Sequence, residues 1–286
     1  FIVNPRAAQL RSEINNTWIK SRIEKYSKFF EYEDDQTIFR IDAYHRTRSY
    51  DFLAVSAGNP SQSKYSGGND YFSPTLRKKM PFSFGSLSVI GGYEVTSWSQ
   101  SRLAVPPASN SYDERLSASG NSYYLKSDLD FDSIGTRLTL GVRTERNDSY
   151  YNPINSTTNF YRVDSQYRKN AWEFGISKVV NSNNSVYVRL AQSYRFASID
   201  DYSSILAFPS PKLNPLLPQF SHDAEAGWKY RLSDRTRFSI RFYQSFLNNE
   251  LIYDPVNYFN FNADPTKRRG VDLSLSQSLT STVNLL

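Results

Sequence analysis

The sequence predicts an all-β fold, an antiparallel up-and-down transmembrane β-barrel with about 12 strands. Three observations predict it. Apolar and polar residues alternate with a period of two along nearly the whole chain. Short and long connections alternate, so that each hairpin is followed by one long polar loop. The alternating segments run to about 11 to 14 residues, longer than the roughly 5 to 6 usual in soluble sheets.

In chain order, NNTWIKSRIEKYSKFF carries Ile19, Ile23, Tyr26 and Phe30 at a spacing that also suits a helix; its second half is read as a strand. In SGNSYYLKSDLDF, Tyr123, Leu125, Leu129 and Phe131 oppose Tyr124, Lys126, Asp128 and Asp130. In GTRLTLGVRTE, Leu138, Leu140 and Val142 oppose Arg137, Thr139 and Arg143. In NSVYVRLAQSYRF, Val186, Val188, Leu190, Tyr194 and Phe196 oppose Ser185, Arg189, Ser193 and Arg195. SHDAEAGWKYR sets Ala224, Ala226, Trp228 and Tyr230 against Asp223, Glu225, Lys229 and Arg231. RTRFSIRFYQSF sets Phe238, Ile240, Phe242 and Phe246 against Arg237, Ser239, Arg241 and Ser245. KRRGVDLSLSQSL sets Val271, Leu273, Leu275 and Leu279 against Asp272, Ser274, Ser276 and Ser278. In a barrel of this kind the apolar parity meets lipid and the polar parity a wet interior.

Short turns are expected near residues 34, 83, 133, 182, 233 and 281, a spacing of roughly 50 throughout. Long loops rich in Ser, Asn, Pro and Tyr are expected at 48–69, 99–119, 148–167, 197–220 and 249–265. Strict alternation puts every short turn at one end of a meander and every long loop at the other, whereas a Greek-key sandwich mixes the two. Aromatic residues beside the loops (Tyr44, Trp98, Tyr150, Tyr151, Tyr194, Phe196 and Phe246) are expected to form an interfacial girdle.

Composition narrows the function. Apolar residues make up 39% of the 286, and aromatics 15%, with 21 Tyr and 19 Phe. The absence of Cys removes any disulfide framework or thiolate metal site, and His45 and His222 alone exclude a multi-histidine site within this chain. The net charge is +6, yet basic residues cluster only as the triplets Arg77–Lys79 and Lys267–Arg269, which argues against a nucleic-acid partner. No run of about 18 apolar residues would form a membrane-spanning helix. No secretory leader is recognisable in FIVNPRAAQL, and STVNLL stops inside a strand pattern, so a piece of a longer chain is expected. No catalytic constellation is evident, and isolated Asp and Glu are read as interior charges.

The second half of the chain resembles the barrel of TonB-dependent outer-membrane receptors. The resemblance lies in VYVRLAQSYRFASIDDY, in NPLLPQFSHDAEAGWKYRL and in FNFNADPTKRRGVDLSL, with Tyr194–Ala197, Asn214–Gly227, Asn260 or Asn262, and Arg269–Leu273 as its marks. YYLKSDLDFDSIGTRLTLGVRTER also resembles a family hairpin. Gln219 departs from the pattern, standing where the family often has Glu, and the first 100 residues match only in general character. The resemblance implies that residues 1–286 are a fragment of a barrel of the 22-stranded type, without the plug domain and the barrel termini. It implies a bacterial outer-membrane receptor, monomeric at full length and surrounded by lipid and lipopolysaccharide. Such a receptor binds a scarce small-molecule ligand (a ferric siderophore, haem, cobalamin or a glycan) on its outer loops and imports it with energy from the TonB complex. It implies no enzyme activity and no cofactor.

Ligand contacts are then expected from loop tyrosines and inward arginines, which offer planar faces, hydrogen bonds and positive charge. The candidates are Tyr150, Tyr151, Tyr161, Tyr202, Tyr253, Tyr258, Arg143, Arg195 and Arg241. Two other readings stay open. One is a 12-stranded passive pore or autotransporter-type barrel; the other is a soluble or surface β-protein binding glycan or protein.

Overall fold

The computed structural model describes residues 18–56, 59–105, 113–154, 163–198, 201, 216–256, 259–278 and 284–285. Five hairpins follow one another. They join β1 (Trp18–Glu33) to β2 (Thr37–Ser56), β3 (Asn59–Phe82) to β4 (Gly85–Val105), and β5 (Asp113–Phe131) to β6 (Thr136–Ile154). Next come β7 (Val163–Asn181) with β8 (Asn184–Arg195), and β9 (Gln219–Ser233) with β10 (Thr236–Asn248). After β10 a small separate hairpin, β11 (Glu250–Asp254) and β12 (Phe259–Ala263), precedes β13 (Thr266–Ser278) and the two-residue β14 (Asn284–Leu285). Every neighbouring pair is antiparallel, and the sheet has 12 strands in simple chain order, β1 to β10, then β13 and β14. It does not close: β1 and β14 are its two edges.

The two parities of each strand line up across the sheet. Leu125 pairs with Val142, Val142 with Trp172, and Phe174 with Leu190. The row continues through Val188 with Ala226, Ala226 with Phe242, and Phe242 with Val271. One face is therefore a continuous apolar surface. Its side chains stay open to the surroundings: Leu140 is 54% exposed, Val142 58%, Phe242 53% and Leu273 67%. The buried apolar set among the described residues is only Leu116, Tyr151, Ala191, Leu216 and Leu247. A sheet with almost no core and an exposed apolar face is stable where that face meets lipid or another apolar phase.

The opposite face carries the charges. Four polar contacts there bridge strands two places apart: Arg143 to Glu94 (2.6 Å), Tyr194 to Glu145 (2.8 Å), Tyr124 to Thr75 (2.8 Å) and Lys126 to Glu173 (3.9 Å). Neighbouring strands lie about 4.8 Å apart, so such side chains converge where the sheet curves toward them. Among the described residues, ring contacts on the apolar face reach no farther than the adjacent strand, as in Phe30–Phe39, Tyr93–Tyr123 and Trp228–Phe238. The polar face is thus the inner, concave one.

Three inner-face glycines sit directly across from tyrosines: Gly92 from Tyr124, Gly227 from Tyr187 and Gly270 from Tyr243. Each ring lies over the bare backbone; a Cβ on Gly227 would come within 2.3 Å of the Tyr187 ring, and one on Gly270 within 2.6 Å of the Tyr243 hydroxyl. Glycine weakens a strand by itself, and an aromatic laid across it restores the packing.

The short turns near residues 34, 83, 133, 182 and 233 fall where the spacing predicts, and the one near 281 lies outside the described residues. At residues 33–37 the Asp34 carboxylate accepts the amides of Gln36 (2.9 Å) and Thr37 (2.7 Å). Asn181 accepts the amide of Asn183 (2.9 Å), and a single 3-10 turn at Asp132–Ile134 ends on Gly135 with φ +60°. Short polar side chains and a left-handed glycine are what such turns require.

Four of the five long loops are shorter than the sequence suggests, and most of the fifth, 197–220, lies outside the described residues. Ser56 pairs with Asn59, so 48–69 is mostly β2 and β3 rather than loop. Strands likewise run to Val105 and from Asp113 within 99–119, to Ile154 and from Val163 within 148–167, and β11–β12 occupies part of 249–265. Residues 59–69 (NPSQSKYSGGN) are polar or small on both faces, and 52–55 (FLAV) are apolar on both, so the period-two signal is lost while the ladder stays intact. β1 shows that Trp18–Glu33 is strand throughout, so the helical spacing of Ile19, Ile23, Tyr26 and Phe30 is incidental. The expected girdle divides. Tyr150 and Phe246 share the apolar parity of their strands, whereas Tyr44, Trp98 and Tyr151 share the polar one.

Candidate functional site

The inner face is organised around Arg143 on β6. Its guanidinium contacts Glu94 on β4 (2.6 Å) and Glu145 on its own strand (3.1 Å). Ser122 donates to Glu94 (3.1 Å), as does Tyr71 (3.3 Å), and Tyr194 donates to Glu145 (2.8 Å). One cation therefore ties β3, β4, β5, β6 and β8 together. Tyr194 belongs to the same parity as Val188 and Leu190, yet its hydroxyl reaches the inner face. It does so just past Trp172 and Gln192, where the β7–β8 pairing ends.

Further charge groups repeat this scheme. Arg189 meets Glu173 (2.7 Å), Arg137 meets Asp130 (2.6 Å), Arg40 meets Asp42 (2.7 Å) and Glu31 (3.1 Å), and Arg241 lies between Asp272 and Glu225. At these exposures water screens each pair, and none of them contributes much to stability alone. Their effect is a patterned, hydrated inner wall.

Toward the long-loop end, Tyr50 stacks on Tyr65 (4.2 Å between ring centres), with Arg48 over the first ring (4.9 Å) and Arg102 over the second (5.6 Å). Below them Tyr44 stacks on Tyr71 (5.0 Å). These stacked rings flanked by guanidinium groups were not legible in sequence, because residues 48–69 read as loop. The signal that finds them is register: Tyr44 faces Tyr71, and Tyr50 faces Tyr65.

The base of the loops is also built. Arg195 pairs with Asp201 (2.8 Å), whose carboxylate also accepts the Ser198 amide (2.7 Å). Asn262 on β12 accepts the Leu217 amide (2.7 Å) and donates to the Leu217 and Asn249 carbonyls (2.9 Å each). Asn260 donates to the Asp201 carbonyl (3.0 Å), and Gln219 accepts the Leu251 amide (3.2 Å). Two asparagines thus bind the stretch before β9 to the β11–β12 hairpin as an extra strand would.

A TonB dependent receptor-like, beta-barrel family description matches residues 4–286. The chain belongs to that family. Among solved structures, the TonB-dependent chain is similar to the closed form of the ferric-catecholate import receptor Fiu of E. coli, at 15% identity and a TM-score of 0.69, covering 93% of this chain and 46% of that one. It is similar to the ferric citrate transporter FecA in unliganded form at 14% identity and a TM-score of 0.72, covering 93% and 40%. It is similar to the hemophore receptor HasR of Serratia marcescens, solved as a double mutant with its hemophore HasA and heme, at 12% identity and a TM-score of 0.67, covering 92% and 47%. The chain therefore spans less than half the length of these structures. No curated protein matches it. At such identities the likeness is one of fold; the family match makes the open sheet barrel wall of the TonB dependent receptor-like kind.

On that wall the sequence-predicted residues do not form one group. Arg143 is the hub of the inner-face cluster, Arg241 holds Asp272 and Glu225, and Arg195 holds Asp201 at the loop base. Tyr151 is buried at 2% exposure, Tyr150 lies beside it at the upper end of β6, and Tyr253 is exposed on β11. Tyr161, Tyr202 and Tyr258 lie outside the described residues.

Proposed function

We propose that this chain is barrel wall of a bacterial outer-membrane receptor that imports a scarce ligand with energy passed on by TonB. The family match over residues 4–286 carries this reading. The ligand is a ferric siderophore, haem, cobalamin or a glycan. Fiu, FecA and HasR, with their ferric catecholate, ferric citrate and heme, favour iron compounds within that set.

Ligand capture belongs to the long-loop end. Rings and guanidinium groups at Tyr50, Tyr65, Arg48 and Arg102 suit a planar, anionic ligand. Tyr150, Tyr151, Tyr161, Tyr202, Tyr253 and Tyr258 supply further contacts from the loops, while Arg143, Arg195 and Arg241 supply positive charge along the path. The apolar face sits in outer-membrane lipid, and cations at its upper rim, such as Lys267 beside Phe246 (4.9 Å), meet lipopolysaccharide.

Uptake assays test this. Strains lacking the complete gene are compared with their parent for labelled ferric siderophores, haem, cobalamin and maltodextrins, each with and without functional TonB. The expected result is loss of uptake of one ligand, matched by loss of TonB. Uptake that survives removal of TonB would mean a passive pore instead.

A further inference from the structure

Several arginines on the inner face have a carboxylate beside them, as Arg143, Arg189 and Arg241 do; among the described residues Arg231 and Arg237, like Arg46 and Arg77, have none. The first two stand directly opposite one another on β9 and β10, two like charges in one cross-strand pair. Neither takes part in an ion pair or side-chain hydrogen bond among the described residues. Like charges placed this way destabilise a strand pair, and nothing in the turn chemistry demands them. They line a cavity of about 410 Å³ at the short-turn end, together with Lys229, Ser239, Ser274 and Ser276. Two irregularities frame that cavity. The β9–β10 register shifts between Thr236 and Arg237, and the β7–β8 register shifts between Val179 and Asn181. Bulges of this kind re-aim side chains beside sites.

We propose that Arg231, Arg237 and Lys229 form a binding site for the phosphate group of a small solute on the inner wall at its short-turn end. Two guanidinium forks from adjacent strands present paired N–H donors to one tetrahedral oxyanion, which removes their mutual repulsion. Lys229 adds a third charge from the same side, its ammonium 5.6 Å from the Tyr187 ring centre. The serine hydroxyls of β10 and β13 complete a donor-rich lining without an acid. The site lies at the opposite end of the strands from the tyrosine stacks.

The complete protein, in detergent micelles, is treated with phenylglyoxal while inorganic phosphate replaces chloride at constant ionic strength. Peptide mass spectrometry then follows modification of Arg231, Arg237 and, as an internal control, Arg77. The expected result is saturable protection of Arg231 and Arg237 by phosphate, with Arg77 unchanged. Arg237→Gln should raise the phosphate needed to protect Arg231 by about tenfold, and Arg237→Lys by less. Heat-modifiable gel mobility confirms that each variant is folded. Equal protection by chloride would reduce the effect to screening and overturn the site. Protection already complete without phosphate, and unresponsive to it, would mean that carboxylates of the protein itself occupy the arginines, which also overturns it. Uptake plays no part in this readout, so the result is independent of the import reading.

Discussion

Leu273 and Ser274 adjoin in sequence and face opposite surroundings. Leu273 pairs with Ile240 on the apolar face and is 67% exposed, while Ser274 pairs with Ser239 on the inner wall. A lysine at Leu273 of the complete protein should lower membrane-folded stability by about 2 to 4 kcal/mol, against less than about 1 for Ser274→Lys. Urea unfolding in lipid vesicles measures both. Glycine-for-alanine exchange tests a second residue-scale feature. Gly227→Ala pushes a methyl into the Tyr187 ring, at 2.3 Å from its nearest carbon. The ring must move, and the loss should be about 1 to 3 kcal/mol, largely recovered when Tyr187→Ser removes the ring in the same chain. The facing of single residues was legible wherever a strand has one greasy face, as in Val271, Leu273 and Leu275. It was not legible for Tyr44 or Trp98, because an aromatic at a strand end suits a membrane interface or a wet wall equally well. Tyr194 was misplaced for another reason: its side chain crosses where a ladder ends, and ladder ends leave no mark in one sequence.

Hairpins are where sequence and structure agree best at the scale of elements. The turns at residues 33–37, 132–135 and 181–184 carry Asp, Asn and Gly for stated backbone reasons. The upper halves of β2 to β7 were hidden, since stretches such as NPSQSKYSGGN and FLAV do not alternate between the two faces. The β1–β2 turn gives a pH test. The amides of Gln36 and Thr37 hold the Asp34 carboxyl below its ordinary value of 3.8. A depressed folded value means that the stabilisation is fully present above about 3.8 and lost as pH falls through the lower folded value. Amide hydrogen exchange at Gln36 and Thr37 should therefore lose protection in that acid window, and Asp34→Ala should abolish the pH dependence there.

At the scale of the whole molecule the sheet is a wall with two edges. Among the described residues β1 pairs only with β2, and β14 only with β13. Unpaired backbone groups are costly in hydrocarbon. Residues 1–286 expressed alone should thus fail to give a protease-resistant, heat-modifiable monomer in vesicles, a result that gel mobility reads directly. The up-and-down order of this wall was legible from the roughly 50-residue spacing of the turns. The inner charge network was not, because which of many Arg, Glu and Asp meet depends on sheet curvature, and contacts such as Arg143–Glu94 skip a strand. The central claim is that one face of this wall meets lipid and the other water. Spin labels placed one at a time at positions 271 to 276 of the complete protein in bilayers test it, by collision with oxygen, which favours lipid, and with a water-soluble nickel chelate. The account predicts a period of two, with oxygen favoured at Val271, Leu273 and Leu275 and nickel favoured at Asp272, Ser274 and Ser276; accessibility to nickel at all six would contradict it.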